Sequence, residues 1–305
     1  MGVVTAVELL WWFVVWRLDI APVPHLLTYM ALAFLGLTAA IGVRLALKLP
    51  PSAIPWPIVL AAAALVGVGA SAFLPLKYAI PNEIGFWLDE PLAVAERQLF
   101  GADPWVLLER LLGWATVPMD WLYGCWMPVQ TLALFLLIFS PASQAKSRAL
   151  IAYSFAWFLL GVVAAVLLSS AGPIFYDRLY GGGDFHALNA MLRERGAWFA
   201  INESDLMWAS RSDTSPGIVA GMSAMPSIHV AISLWIHLAA RKLLPKAAPV
   251  ALAYYFLIWV GSVQLGWHYV ADGLVGAIGM LAVWKLATLI QMKADRANVP
   301  NVHTD

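Results

Sequence analysis

Charge is what this sequence has least of. Only 12% of its 305 residues are Asp, Glu, Lys or Arg, against about 25% in an ordinary soluble domain. The 18 acidic and 18 basic residues cancel, so there is no global field for nucleic acid, and no Lys/Arg block long enough to tether the chain to an anionic membrane surface. Cysteine is nearly absent: Cys125 is the only one, which excludes an intrachain disulfide and a cysteine-rich metal site. Among Trp121, Tyr123 and Trp126 it reads as a small packing or lipid-facing residue. No internal repeat and no low-complexity tail is present. The N-terminal stretch also lacks a basic n-region, and its apolar run is interrupted by Glu8 without a small-residue cleavage pattern after it, so a short retained helix is expected there.

What the chain has instead is apolar surface: 62% of residues are hydrophobic and the mean hydropathy is +0.77. That balance indicates an all-α, polytopic membrane helical bundle. A crossing needs about 20 mostly apolar residues, and such runs lie near 26–48, 55–76, 118–140, 149–171, 224–240, 247–266 and 269–291, with a further one near 3–19. The reading is a six-helix core from 55–76 onward plus one or two N-terminal transmembrane helices. In domain terms this gives N-terminal helices over 1–50, a catalytic membrane domain over 51–295 and a tail over 296–305. Two regions, 77–117 and 172–222, are polar connections with amphipathic pieces, since Leu107, Leu108, Leu111 and Leu112 recur at helical spacing beside Glu109 and Arg110.

Short loops set orientation through Lys and Arg. "SPASQAKSR" carries Lys146 and Arg148, and "RKLLPK" carries Arg241, Lys242 and Lys246, neither with an acid. Alternation from these loops puts Arg44, Lys48, Lys293 and Arg296 on the same, cytoplasmic side. The two long connections then face outward, and a compact chain without long tails is expected in a bacterial inner membrane with its site on the periplasmic face.

Ionisable groups within membrane helices are rare and tend to be functional. His268 and Asp272 are spaced i, i+4 in "GWHYVADGLVG", which puts them on one helix face about a turn apart. The carboxylate can then hold one imidazole nitrogen and leave the other as base or nucleophile. His229 opens another helix, after Pro226 and Ser227 in "GMSAMPSIHVA", and the alternating topology brings both helix starts to the outer face. Two histidines and a carboxylate are also a facial metal-ligand set, but the paired-ligand spacing His-x-x-x-His is absent; no metal or other cofactor is expected.

These two stretches, "MPSIHVA" and "GWHYVADGLVG", resemble the second and third signature motifs of the type 2 phosphatidic acid phosphatase superfamily. With the upstream "LKYAIP", "DPW" and "AGPIFY", they are similar to the branch that includes inositol phosphorylceramide synthases. The resemblance implies that His268 attacks phosphorus to form a phosphohistidine, that Asp272 orients it, and that His229 protonates the departing oxygen. A neutral imidazole held by a carboxylate is a competent nucleophile, and a second imidazole suits general acid and base work. The chain departs from the phosphatase pattern at Ser262, where an arginine is usual six residues before the histidine, and at Ile228, where a glycine is usual. No first motif of Lys followed by Arg-Pro is found.

Oxyanion clamping therefore falls to other groups. Lys77, Arg178 and Arg211 are candidates, each equally well read as a snorkelling or loop-solvated base. Ser227 and the amides around it suit phosphate because a helix N-terminus favours anions, and Tyr176 is a further polar contact to phosphate or headgroup. The function implied is an integral membrane phosphotransferase moving a phosphate or phospho-headgroup from a lipid donor to a lipid alcohol, with a lipid phosphate phosphatase as the alternative and a non-catalytic lipid-binding protein as a third reading. Its partners would be the membrane and lipid substrates, not nucleic acid.

Overall fold

The computed structural model describes residues 26–48, 54–67, 84–210 and 221–297. The run at 3–19, Lys77 and Arg211 lie outside them. Among the described residues there is no strand, as expected where a hydrocarbon environment forces every backbone group to be satisfied within its own segment.

The described residues open with α1 (Leu26–Ala46) and the shorter apolar α2 (Trp56–Gly67). Gly67 rests against the backbone of Met30, the close approach that small residues permit between apolar helices. Next come α3 (Asp89–Phe100) and α4 (Pro104–Leu112), which passes through a 3₁₀ turn into α5 (Thr116–Gly124), and then α6 (Trp126–Phe139). The stretch 118–140, expected as one span, is bent by 46° between Gly124 and Trp126. Pro128, in the first turn of α6, has no N–H to return to the Gly124 carbonyl, so the helical ladder breaks there. Upstream, the amphipathic piece expected at Leu107, Leu108, Leu111 and Leu112 is helix α4, and it continues through α5 as the first arm of this bent pair.

Helix α7 (Gln144–Leu167) starts at Ser143, whose side chain accepts the Lys146 N–H, a cap of the usual hydroxyl kind. The Lys146 ammonium turns back onto the Ile138 and Ser140 carbonyls at 2.5 and 2.8 Å, a cation at the negative end of α6. The connection that follows α7 holds α8 (Pro173–Tyr180), α9 (His186–Arg195) and α10 (Trp198–Ser210). Buried Asp120 of α5 anchors α10 by accepting the Phe199 and Ala200 N–H groups, both at 2.8 Å.

Last are α11 (Ile228–Leu243), α12 (Ala248–Gln264) and α13 (Val270–Ala297). Among the described residues four stretches are long and apolar enough to cross a membrane, Tyr29–Ala46, Gln144–Leu167, Pro245–Gln264 and Val270–Ala294, and the bent pair makes a fifth if it is one span. Helix α11 has only 16 residues and forms the centre, packed against α7, α12 and α13. Val230, Ala231, Ile232 and Trp235 on it are fully buried, and Trp235 donates its indole N–H to the Ala149 carbonyl at 2.8 Å. His237, further along α11, meets the Ala248 carbonyl at 2.9 Å. The site lies at the N-terminal end of this central helix, where three loops converge.

Candidate active site

Backbone hydrogen bonds tie those loops together. Ala224 N–H donates to the Ser170 carbonyl at 2.7 Å, Ile174 N–H to the Gly266 carbonyl at 2.8 Å, and Ser227 N–H to the Asp272 carbonyl at 2.9 Å. Gly172, with φ +96, lies where a Cβ would strike the Trp267 carbonyl, so "AGPIFY" approaches the histidine loop as only glycine permits. Beneath these loops, fully buried Asp89 accepts the Ala171 and Gly172 N–H groups at 3.0 Å each and the Tyr180 hydroxyl at 3.2 Å. Burial outweighs those donors and pushes the Asp89 carboxyl up to about 6.

Within this frame four predicted residues meet. His268 Nδ1 lies 3.3 Å from Asp272 Oδ2, which also accepts the Tyr269 N–H at 2.9 Å. Ser227 Oγ, the cap of α11 that accepts the Val230 N–H, lies 3.1 Å from His268 Nε2. A carboxylate can only accept, so Nδ1 carries the proton, Nε2 carries the lone pair, and Ser227 donates to it. Ser227, His268 and Asp272 are all buried, His268 at 4% exposure. The His229 ring is half-buried, with its centroid 5.9 Å from that of His268. The two rings are near enough to flank one tetrahedral centre.

His229 is held by aromatic residues from α5 and α6. Tyr123 stacks on its ring at 4.8 Å and 21°, and Trp126 packs at 4.2 Å while donating its indole N–H to the His229 carbonyl at 3.1 Å and to Ser233 Oγ at 3.2 Å. Trp267 stacks on Tyr123 at 6.3 Å, so one ring separates the two histidine loops. The bend before Trp126 is what turns α5 and α6 so that both aromatics reach α11. Helix spacing alone carries no sign of this.

The remaining predicted residues are placed differently. Tyr176, on α8, is buried with its ring 4.8 Å from Tyr180 and 5.0 Å from Phe185, and burial raises its hydroxyl above the usual tyrosine range. The Arg178 guanidinium is engaged on α10 by the Asp205 carboxylate and by the Ser204 carbonyl at 3.3 Å. Ser262, at the departure from the phosphatase pattern, donates to the Trp259 carbonyl at 2.7 Å, and its own carbonyl accepts the His268 N–H at 3.1 Å. Among the described residues no group of three His, Cys, Asp or Glu is arranged to hold a metal ion.

A residue that sequence reasoning missed is Glu96 on α3, 5% exposed, whose Oε1 accepts the Ala271 N–H at 2.9 Å. Asp89 and Glu96 are seven apart, hence on one helix face, and Ala93 between them is also buried. This spacing was readable, but only burial shows that the acidic face is the inner one.

A paired imidazole and carboxylate, a second imidazole across a narrow gap and a helix N-terminus between them form a constellation for phosphoryl chemistry. The family model of the PAP2 superfamily matches residues 90–286, from α3 into α13. The chain belongs to the PAP2 superfamily. Membership in this superfamily of type 2 phosphatidic acid phosphatases places it among enzymes of the lipid phosphatase and phosphotransferase type that act on phosphate esters. Its spans make this PAP2 protein an integral membrane protein. Ser227, His229, His268, Asp272 and Glu96 all fall within the matched region, whereas α1 and α2 precede it. No curated protein and no solved structure matches the chain.

Proposed function

We propose that this PAP2 protein transfers a phosphate or phospho-headgroup from a lipid donor to a lipid hydroxyl through a phosphohistidine, as inositol phosphorylceramide synthases do. The observation that carries the reading is the His268 imidazole held at Nδ1 by Asp272, with its Nε2 lone pair directed at Ser227 and His229 across the gap. Ser227 first releases Nε2 by rotating its hydroxyl. The Nε2 lone pair then forms the N–P bond, the ester P–O bond breaks, and protonated His229 gives its proton to the leaving oxygen. In the second half neutral His229 takes the proton of the acceptor hydroxyl as its oxygen attacks phosphorus, and the N–P bond breaks to restore His268. The N-terminus of α11, and Lys77 and Arg211 from outside the described residues, would neutralise the equatorial oxygens.

The tilt toward a lipid acceptor rests on the resemblance to the synthase branch and on Ser262 standing where phosphatases carry arginine. The site would work at the outer, periplasmic face of a bacterial inner membrane. Purified protein incubated with labelled lipid phosphates and phospholipids, with and without ceramide or diacylglycerol, tests the proposal. New phospholipid dependent on the added alcohol is expected. Free phosphate alone would leave a lipid phosphatase, and no product from any donor would leave a lipid-binding protein.

A further inference from the structure

Glu96 is a buried carboxylate that the steps above do not use. Its Oε1 holds the N–H of Ala271 at 2.9 Å, one of the first-turn donors that a helix leaves without an intrahelical partner. Ala271 precedes Asp272, so the bond fixes the turn from which Asp272 reaches His268. Glu96, His268 and Tyr269 also line one cavity of about 10 Å³ together with Asp103 and Trp105, about the room of a single water.

We propose that Glu96 is a positioning residue for the His268–Asp272 pair, pinning the first turn of α13 and adding a second negative charge behind the imidazole. The inference rests on His268 being the nucleophile. Phosphorylation at Nε2 with Nδ1 still protonated makes the ring a cation. Asp272 offsets that charge from Nδ1, and Glu96 offsets it from the α3 side, where a low dielectric makes each charge count for more.

The groups around Glu96 set when it is charged. Asp272, with the amides of Val270 and Ala271, faces it from α13, Asp103 from the α3–α4 turn, and His268 and Tyr269 from the histidine loop. Arg97, next to it on α3, is paired with Asp103 at 2.6 Å and with Asp184 at 3.7 Å. Burial first, then the like charges of Asp272 and Asp103, against the two amide donors, push the Glu96 carboxyl up to about 7. Its charge is therefore absent well below neutral pH and present above it.

The test uses full-length protein in detergent, with kcat, KM and pH profiles for wild type, His268→Ala, Glu96→Gln and Glu96→Ala, and melting temperatures alongside. Glutamine keeps an acceptor for the Ala271 N–H and removes only the charge. Glu96→Gln is expected to keep the wild-type KM and, at pH 5 where Glu96 is protonated, the wild-type melting temperature, to lower kcat by about 10- to 100-fold above neutral pH, as for carboxylates behind metal-bound histidines, and to lose the rise of kcat through neutral pH. Wild-type kcat and pH profile in Glu96→Gln would overturn the proposal. So would full rescue of Glu96→Ala by glutamine at every pH, since a cap alone would then suffice. Turnover by His268→Ala would instead overturn the phosphohistidine reading, whatever Glu96 does.

Discussion

A single methyl group at Gly276 tests how tightly α11, which bears His229, and α13, which bears Asp272, must be held together. Gly276 of α13 packs on the backbone of Ser227, and a Cβ there would lie closest to the Ser227 carbonyl oxygen, with its carbon and nitrogen both at 3.3 Å. The overlap with that oxygen is roughly 1 Å relative to the ~3.5 Å of ordinary contact. Nothing flexible can yield, because Ser227 N–H is bonded to the Asp272 carbonyl at 2.9 Å and Ser227 caps α11. The helices must separate, an overpacking that costs about 1–3 kcal/mol. A displacement of about 1 Å at reacting groups lowers rates about 100-fold, and the Ser227 Oγ to His268 Nε2 distance of 3.1 Å lies directly on that seam. The control is Gly279→Ala, one turn further along, where a Cβ would meet Leu160 Cδ2 at 2.6 Å, the rotatable end of a side chain. Both changes gain about 0.5–1 kcal/mol of helix propensity, so their difference isolates the contact. Turnover at saturating lipid should fall about 100-fold for Gly276→Ala and stay near wild type for Gly279→Ala. Equal turnover of the two variants would refute the reasoning.

Two further outcomes follow from buried polar groups. Asp89, Glu96 and Glu203 have carboxyls raised from 3.8, 4.5 and 4.5 to about 6, 7 and 7, each chiefly by burial. An acid whose folded value is raised binds its proton more tightly when folded, so its contribution is full below about pH 4 and lost as pH rises through 6 to 7. The melting temperature in detergent should therefore fall between pH 5 and pH 8, and a rise over that interval would contradict the assignment. Trp126→Phe keeps an aromatic ring near His229 but removes the N–H donated to its carbonyl and to the buried Ser233 hydroxyl, a loss of about 1 kcal/mol; kcat should drop with KM little changed, and a change confined to KM would count against a role in placing His229.

The pairing of His268 with Asp272 was legible because it is local, though not as two positions on one helix face: His268 lies in the loop just before α13, and Asp272 in the first turn of that helix meets its Nδ1. Pro226 and Ser227 before His229 likewise marked a helix start, and Ser227 does cap α11. The membrane class followed from composition, since a chain this apolar has few other places to put its side chains. The bend before Trp126 was only half legible; Pro128 signals a broken ladder, yet tolerance of proline in a first turn made an unbroken span an equally natural reading.

What sequence by itself determined, then, is the set of residues that local geometry brings together: the helical spans, the His268–Asp272 pair and the capped helix start before His229. Tertiary structure decided everything that crosses long sequence separations. Ser227 reaches His268 over 41 residues, Trp126 reaches the His229 carbonyl over 103, and Glu96 reaches Ala271 over 175. It also turned Arg178 onto Asp205, a partner no spacing suggested. The physical reason is common to all of these. Periodicity states which face of a helix a residue occupies, while packing alone decides what that face meets, and for Asp89 and Glu96 it was packing that turned the acidic face inward, against the Ala171–Gly172 backbone and the start of α13.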